Sequence, residues 1–277
     1  MRILLLLFCL GMTSWSSAQK SILISNLDAY LATLPSHAKI SFQIESLRGK
    51  VYANYHAEEA VPSASVIKIP ILVELMEQVK IGKQRLSDNY TLLETDKTGG
   101  SGIIANYENG TILTLDELAR LMMVASDNTA TNIIIRKVGQ KAVNDRMKQL
   151  GLPHLQLNRV MMDTAAVARG IDNYVTVSEI NKLLRLIFNK KVATPDLCKR
   201  MMAFLLANED ATTLPRLIPK DIKVAHKTGG LVYVRGDAGV VFTQKPFVIS
   251  VFVRETTTEM AEKIIGEIGE ISYLLLK

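Results

Sequence analysis

The chain is poor in the residues that build disulfide frameworks and metal sites. It has 277 residues, with only two cysteines and four histidines. Cys9 lies in the apolar run at the start of the chain and is expected to leave with it, so Cys198 has no partner for an intramolecular disulfide. The histidines lack the close spacing of metal ligands; they are His37, His56, His154 and His226. We therefore expect no disulfide, no metal and no other cofactor.

Aromatic residues and concentrated charge are also scarce. Phe, Trp and Tyr make up 6% of the chain, and 33 basic residues face 27 acidic ones, for a net charge of +6. The basic residues are scattered and form no dense run, which argues against a nucleic-acid partner. The apolar share of 48% and the charged share of 22% are typical of a globular protein with a core of its own.

Only the first residues form a long apolar run, "MRILLLLFCLGMTSWSSAQ". A positive start, a compact apolar stretch, and small residues at Ser16 and Ala18 are typical of a secretory signal peptide cleaved after Ala18. The run is too short and wrongly flanked for a membrane span. A lipoprotein interpretation would use Cys9, but its neighbours are bulky. We expect residues 1–18 to be removed and the mature chain to be secreted or periplasmic, without stable membrane insertion.

Hydrophobic spacing divides the mature chain into three parts. "KISFQIESLRGKVYANYH" alternates apolar and polar positions and predicts a hairpin. From Ser65 to about Ala207, apolar residues three and four apart predict helices. Strands return in "IKVAH", "LVYVRGDAGVVFT" and "FVISVFVRE", before a last helix, "TEMAEKIIGEIGEISYLLL".

This order of elements predicts an α/β (α+β) fold, with one antiparallel sheet built from both termini, flanked by helices, and an inserted all-α domain. The predicted boundaries are 19–64 and 212–277 for the two parts of the α/β domain and 65–211 for the all-α domain. For this architecture we expect a monomer.

A serine followed three residues later by a lysine can form a nucleophile and its base, although the pattern alone has little weight. It occurs three times, at Ser17/Lys20, Ser36/Lys39 and Ser65/Lys68. Only Ser65 opens a predicted helix, where the three-residue step places Lys68 on the same face. A lysine kept neutral by burial could take the serine proton. A helix-capping serine beside an unrelated lysine would give the same letters.

Two further polar motifs interrupt apolar surroundings. Ser126-Asp127-Asn128 lies within "LARLMMVASDNTATNIII", where three short polar residues either cap and turn the chain or line a cleft. "KTGG" occurs twice, beginning at Lys97 in a glycine-rich loop and at Lys227 after the strand "IKVAH". At a sheet edge, a lysine can bind an anion and glycine lets a substrate approach the backbone. Position and chain order therefore favour the Lys227 copy.

The three motifs together, Ser65-x-x-Lys68, Ser126-Asp127-Asn128 and Lys227-Thr228-Gly229, resemble those of the penicillin-recognising serine hydrolases. Among these the sequence is most similar to the class A β-lactamases. The resemblance covers essentially the whole mature chain, including "TGGSGIIANYENGTILTLDELARLMMVASDNTATNIII" and "HKTGGLVYVRGDAGVVF". It implies an active site in the cleft between the two domains and a small-molecule β-lactam as substrate.

The resemblance also implies a set of catalytic roles. Ser65 would be the nucleophile that the β-lactam acylates. Lys68 would accept its proton, alone or through water, and Ser126 would deliver a proton to the departing nitrogen. Asp127 would support the loop rather than touch the substrate.

The implied binding roles fall on Asn128 and on the second KTGG. Asn128 would bind the amide of the substrate's side chain, and Lys227 and Thr228, followed by Gly229, would hold its carboxylate. The backbone N–H groups of Ser65 and Gly230 would form the oxyanion hole.

One departure from the family pattern concerns deacylation. The family loop normally carries Glu-x-x-Leu-Asn, whose glutamate activates the deacylating water, but the stretch here is "LNRVMMDTAAVARGIDNYVT". Arg159 fits the arginine of that loop, whereas Met161 occupies the position of the glutamate and cannot accept a proton. Asp163 is the nearest carboxylate and Asp172 is farther away. Either Asp163 serves as the general base, or the acyl-enzyme persists.

Three functions follow from these observations. The first is an exported serine β-lactamase that hydrolyses the β-lactam amide through a Ser65 acyl-enzyme, and the whole-chain likeness favours it. The second is a D-alanyl-D-alanine peptidase or a slowly deacylating penicillin-binding hydrolase, which Met161 favours. The third is a binding or sensing domain that traps ligands without turnover.

Overall fold

Both ends of the chain contribute to one antiparallel sheet. In the computed structural model, which describes residues 20–277, its strands are β1 (Lys39–Ser46), β2 (Val51–Tyr55), β7 (Val224–Leu231), β8 (Val234–Val241) and β9 (Phe247–Arg254), and the short strands β3 (Val61–Pro62), β4 (Asn89–Thr91), β5 (Ile112–Thr114) and β6 (Tyr174–Val175) pair outside it. The order in the sheet is β2-β1-β9-β8-β7. The last strand is therefore central, and β7 lies at an edge.

Most of the helices lie between β3 and β7. The described helices are α1 (20–31), α2 (Lys68–Lys80), α3 (Leu115–Val124), α4 (Asn128–Val138), α5 (Gln140–Gln149), α6 (Thr164–Ala168), α7 (Val177–Phe188), α8 (Pro195–Leu206) and α9 (Thr258–Leu276). Several start at threonine caps. The Thr114 hydroxyl accepts a hydrogen bond from the Glu117 N–H, and the Glu117 carboxylate accepts one from the Thr114 N–H, as in a capping box.

Each face of the sheet packs against its own hydrophobic core. On one face, Leu23 and Leu27 of α1 join Phe42 of β1 and Ile264 and Ile268 of α9. On the other face, side chains such as Phe252 of β9 join the buried residues of the helical region, α2 and α7 included. Along β9, apolar residues alternate between these faces because successive side chains of a strand point to opposite sides. Along β1, the apolar residues Ile40, Phe42 and Ile44 all join the first core.

The predicted fold class is confirmed, and the local predictions need three corrections. Ser65 does not open an α-helix: it lies in a 3-10 turn, Ala64–Ile67, and α2 begins at Lys68. The SDN motif separates two helices instead of interrupting one. The strand predicted from Leu231 begins at Val234, after a turn. The domain boundaries stay predictions, and the predicted signal peptide 1–18 lies outside the described residues.

None of the helices within residues 20–277 is both long and apolar enough to cross a membrane. The same part of the chain contains no cluster of three or more His, Cys, Asp or Glu side chains arranged to hold a metal ion.

Candidate active site

Ser65 and Lys68 lie one turn apart, where a 3-10 turn leads into α2. The 3-10 turn Ala64–Ile67, called the Ser65 turn below, eclipses side chains three residues apart. This geometry brings Lys68 Nζ to 3.0 Å from Ser65 Oγ. Ala64, just before the serine, has a φ of +45°, a conformation uncommon outside glycine. The predicted pairing of the two side chains is thus present, on a tighter turn than expected.

Lys68 is fully buried and surrounded by oxygen atoms. Its Nζ lies 2.7 Å from Ser126 O, 3.0 Å from Ser126 Oγ and 3.1 Å from Asn128 Oδ1, besides the contact with Ser65. Burial, and then the charge of Lys227, lower the pKa of Lys68 well below its usual value, while Asp127 opposes the shift. A neutral amine can donate its two hydrogens to Ser126 O and Asn128 Oδ1 and keep its lone pair for the Ser65 proton.

The SDN motif forms a tight connection between α3 and α4. Ser126 has a φ of +53°, which turns the chain so that both its hydroxyl and its carbonyl face Lys68. Asp127 caps α4, because its Oδ1 accepts from the N–H of Ala130 at 2.8 Å. Its Oδ2 accepts from the N–H groups of Ile103 and Ile104 at 2.7 and 2.8 Å. The motif therefore both caps a helix and lines the cleft.

The first KTGG copy lies in a loop, as predicted, and this loop packs against the SDN motif. Asn128 Nδ2 donates to Gly99 O at 3.0 Å, and Asn128 N donates to Ser101 O at 3.0 Å. Lys97 itself forms an ion pair with Glu94 at 2.8 Å. This copy supports the position of Asn128, whose amide nitrogen carries a second hydrogen for a ligand.

The second KTGG copy runs through β7 and does not end it. Lys227 is 1% exposed, and its Nζ donates to Thr228 O at 3.0 Å. Burial lowers the pKa of Lys227 to about 8, although Asp237 and Asp210 favour its charged form. The edge position predicted for this motif is confirmed by the order of the strands.

Gly229 brings β7 against the Ser65 turn. A Cβ atom at this position would lie 2.8 Å from Ser65 N, 2.9 Å from the Ala64 Cβ and 2.9 Å from Ser63 O. Two of these three contacts are with backbone atoms, so no other residue fits without moving the turn. The strand and the turn thus form one continuous wall of the cleft. Ser65 and Gly230 both lie on this wall.

Two adjoining cavities meet at Ser65. The polar cavity, of about 350 Å³, is lined by Ser126, Lys227, Thr228 and Arg235, among others. The apolar cavity, of about 390 Å³, is lined on one side by residues of the loop 159–172 and on the other by Gly230, Leu231, Val232 and Tyr233. Ser65, Ser101 and Gly230 border both.

The loop 159–172 is closed by a buried ion pair. Arg159 Nε donates to Asp172 Oδ1 at 2.8 Å. Within the loop, Asn132 of α4 accepts from the Met161 N–H at 2.8 Å and donates to the Met161 carbonyl at 3.2 Å. The backbone of Met161 is thereby fixed, and its side chain, 6% exposed, lines the apolar cavity.

Asp163 also lines the apolar cavity, two residues after Met161. It caps α6, since its Oδ1 accepts from the N–H of Ala166 at 2.9 Å. The structure therefore places this carboxylate on the same cleft as Ser65, with one of its oxygens engaged in the cap.

The sequence analysis missed the groups that surround Lys227. Arg235, opposite Gly230 on β8, pairs with Asp210 at 2.6 Å and with Glu262 at 3.0 Å. Beneath the strand, His226 Nδ1 lies 2.9 Å from Asp237 Oδ2. Pairing of the two predicted strands could have placed Arg235 opposite Gly230. Asp210 and Glu262 are more than 20 residues from Arg235 in the sequence, and no local pattern marks them as its partners.

Comparison with known proteins finds relatives over nearly the whole chain. The model of the "Beta-lactamase enzyme family" matches residues 23–275. Beta-lactamase VEB-1 of Pseudomonas aeruginosa is 28% identical, over 98% of this chain and 96% of its own. A solved beta-lactamase from Sphaerobacter thermophilus is 27% identical with a TM-score of 0.81, over 94% of this chain and 95% of its own.

A further solved structure, that of PBP-A, shares the fold. It is 24% identical with a TM-score of 0.82, over 92% of this chain and 94% of its own. Because the family model spans nearly the whole of the described chain, this protein belongs to the beta-lactamase enzyme family.

Proposed function

We propose that this protein is an exported serine β-lactamase that opens the β-lactam ring by acylating Ser65 and then hydrolyses the acyl-enzyme slowly. The observation that carries the proposal is the contact between Nζ of the buried Lys68 and Ser65 Oγ at 3.0 Å. Residues 1–18 are proposed to direct export, and the mature chain to act as a monomer on a small-molecule substrate.

In the proposed acylation, Lys68 takes the Ser65 proton while Oγ attacks the carbonyl carbon of the lactam. The N–H groups of Ser65 and Gly230 stabilise the oxyanion, an effect worth about 10²–10³ in rate per donor. Ser126 then protonates the ring nitrogen as the C–N bond breaks. Its hydroxyl regains a proton from Lys68, 3.0 Å away.

The proposed binding groups lie on either side of the nucleophile. Lys227 and Thr228 hold the substrate carboxylate in the polar cavity, beside Gly229, and Asn128 binds the amide of the acyl substituent. Support comes from the shared cavities, since Ser65 and Asn128 line the apolar one and Ser65, Lys227 and Thr228 line the polar one.

Asp163 is proposed as the general base of deacylation. It lines the apolar cavity together with Ser65, and it is the carboxylate nearest in sequence to Met161.

A second candidate function, a penicillin-binding hydrolase or D-alanyl-D-alanine peptidase, is favoured by Met161, whose side chain brings no base to the cleft wall. The engagement of Asp163 Oδ1 in a helix cap favours it too.

Hydrolysis of a chromogenic cephalosporin by residues 19–277 tests the proposal. We expect an initial burst close to one product per enzyme, followed by slow sustained turnover. Ser65→Ala should lose both phases, since it lacks the nucleophile. Asp163→Asn should keep the burst and lose the turnover by a factor of about 10².

The result that contradicts the proposal is a burst without any turnover in the unmodified chain, which would establish the penicillin-binding function instead. Turnover that survives Asp163→Asn would remove Asp163 from the mechanism and leave the β-lactamase assignment intact.

The protonation of Lys227 predicts how acylation depends on pH. Its ammonium is charged below a pKa of about 8 and neutral above it, so attraction for the substrate carboxylate is present at lower pH and lost as pH rises. We expect the second-order acylation constant of a carboxylate-bearing β-lactam to fall above this pKa. Stopped-flow measurements between about pH 6 and about pH 10 check it, because this constant reports the ionisations of the free enzyme. A constant that keeps rising throughout this range would contradict the role of Lys227.

A further inference from the structure

The segment 208–210, which follows α8, lines the polar cavity together with the SDN motif and β7. Asn208 Nδ2 donates to the carbonyl of His226 in β7 at 3.1 Å. The N–H of Glu209 donates to the carbonyl of Val124, the last residue of α3, at 3.4 Å. These two hydrogen bonds attach the segment both to the strand and to the end of the helix, so the backbone of Glu209 has a fixed place at the cavity.

Among the described residues, four charged side chains line the polar cavity, and two of them neutralise each other. They are Glu209, Asp210, Lys227 and Arg235. Arg235 Nη2 donates to Asp210 Oδ2 at 2.6 Å, and it also pairs with Glu262.

The other two charges of the polar cavity have no ionic partner in residues 20–277. Lys227 is buried and donates only to the carbonyl of Thr228. Glu209 is exposed, and its carboxylate forms neither a hydrogen bond nor an ion pair in this part of the chain. The cavity therefore offers one buried cation and one exposed anion to a ligand.

This pair of charges matches a ligand that carries both signs. The proposed function places the substrate carboxylate against Lys227 and Thr228. In a cephalosporin, the ring carbon that bears this carboxylate is bonded to a second ring carbon with a variable group. That group would share the polar cavity, of about 350 Å³, with the carboxylate. A positive charge on it would be attracted by Glu209, whereas a neutral group would gain nothing from that carboxylate.

Resting on the proposed function, we infer that Glu209 binds a cationic group next to the substrate carboxylate and thereby favours zwitterionic β-lactams over those with a neutral group in the same place. Because Glu209 is exposed, water and salt screen its attraction. The preference is therefore about threefold, as expected for an exposed ion pair, and it weakens as ionic strength rises.

Cephalothin and cephaloridine test this inference in residues 19–277. They share the nucleus and the thienylacetyl group, and they differ only in the group beside the carboxylate. This group ends in a neutral acetoxy in cephalothin and in a pyridinium cation in cephaloridine. The second-order rate constant for adduct formation on Ser65 is measured for each by intact-protein mass spectrometry, in about 0.01 M and about 1 M salt. The ratio of the cephaloridine constant to the cephalothin constant is then compared among variants, so that the intrinsic reactivities of the two compounds cancel.

Glu209→Gln removes the charge and keeps the shape of the side chain. At low salt we expect it to lower the ratio about threefold, and at high salt to leave it nearly unchanged. Glu209→Lys reverses the charge and should lower the ratio further, by about tenfold at low salt.

Glu108→Gln is the matched control. Glu108 is exposed, its carboxylate has no hydrogen bond or ion pair in the described part of the chain, and it lines neither cavity. The substitution removes the same charge from the protein, so we expect the ratio to stay as in the unmodified chain. Thermal unfolding of each variant shows whether it is folded.

An unchanged ratio in both Glu209 variants, with adducts formed on Ser65, overturns the inference alone, even where both rate constants fall together. A fall of the same size in Glu108→Gln, or one that persists at high salt, also overturns it. Absence of any adduct in the unmodified chain overturns the proposed function, and the inference with it. A ratio that falls in both Glu209 variants at low salt, with the control unchanged, supports it.

Discussion

Met161→Glu is expected to convert the proposed slow turnover into rapid hydrolysis, with deacylation accelerated by about 10²–10⁴, the usual contribution of a general base. Asn132 forms hydrogen bonds with both the N–H and the carbonyl of Met161. The Met161 side chain lines the apolar cavity, which Ser65 also lines. A carboxylate there would face the acyl-enzyme. Burial would raise its pKa, which suits proton abstraction near neutral pH. Decay of the acyl-enzyme, followed by intact-protein mass spectrometry, gives the rate directly.

Met161→Gln separates basicity from shape and polarity. Glutamine matches glutamate in size and can hold a water, but it cannot take the proton. We expect its deacylation rate to remain within about threefold of the unmodified chain, which is far below the effect of a general base. Equal acceleration by glutamine and glutamate would show that the methionine acts by excluding water and that base catalysis is not what the position lacks.

Lys68→Met is expected to lower the acylation rate constant by about 10²–10⁴, the contribution of proton transfer by a positioned group. Methionine approximates the length of the lysine chain and fills a site that is fully buried. The loss should therefore come from the missing amine and not from a cavity. Single-turnover kinetics with a chromogenic cephalosporin measure it, and thermal unfolding shows whether the variant folds.

Lys97→Met provides the comparison within the same chain, because it changes the lysine of the other KTGG copy. Lys97 is paired with Glu94 on a loop, and surface substitutions of this kind alter stability by about 0.5 kcal/mol at most. We expect acylation to stay within about twofold of the unmodified rate. Similar losses in the two variants would mean that Lys68 has no special role in proton transfer.

The fold class and the edge position of the second KTGG could be predicted because both depend on regular signals along the chain. Alternation in β1 and three-to-four spacing in α3, α4 and α7 report which faces are buried. Helix α1 was missed: its apolar residues directly follow the predicted signal peptide. The 3-10 turn at Ser65 was missed as well, since its spacing of three also fits the first turn of an α-helix.

The connections between distant segments could not be predicted. The Tyr233 hydroxyl donates to Asp172, which is 61 residues away in the sequence. Arg235 donates to Asp210, which is 25 residues away. Such pairs form only when the sheet and the loop are folded. The spacing of apolar residues along a single sequence does not indicate which distant side chains will meet. The positive φ of Ser126 could not be predicted for the same reason. Its turn is held by hydrogen bonds from the N–H groups of Ile103 and Ile104 to Asp127, more than 20 residues away in the sequence.

The central place of β9 in the sheet delays the formation of the active site until synthesis is nearly complete. β9 is the last strand along the chain, and it lies between β1 and β8. Before the ribosome has released it, β1 and β8 lack the neighbour that joins them, and Gly229 has no continuous sheet to hold it against the Ser65 turn. A nascent chain ending before Phe247 would thus contain every motif of the cleft but lack the wall that β7 forms against the Ser65 turn. Such long-range pairing is slow, so a chain exported during translation would reach its destination before it could react.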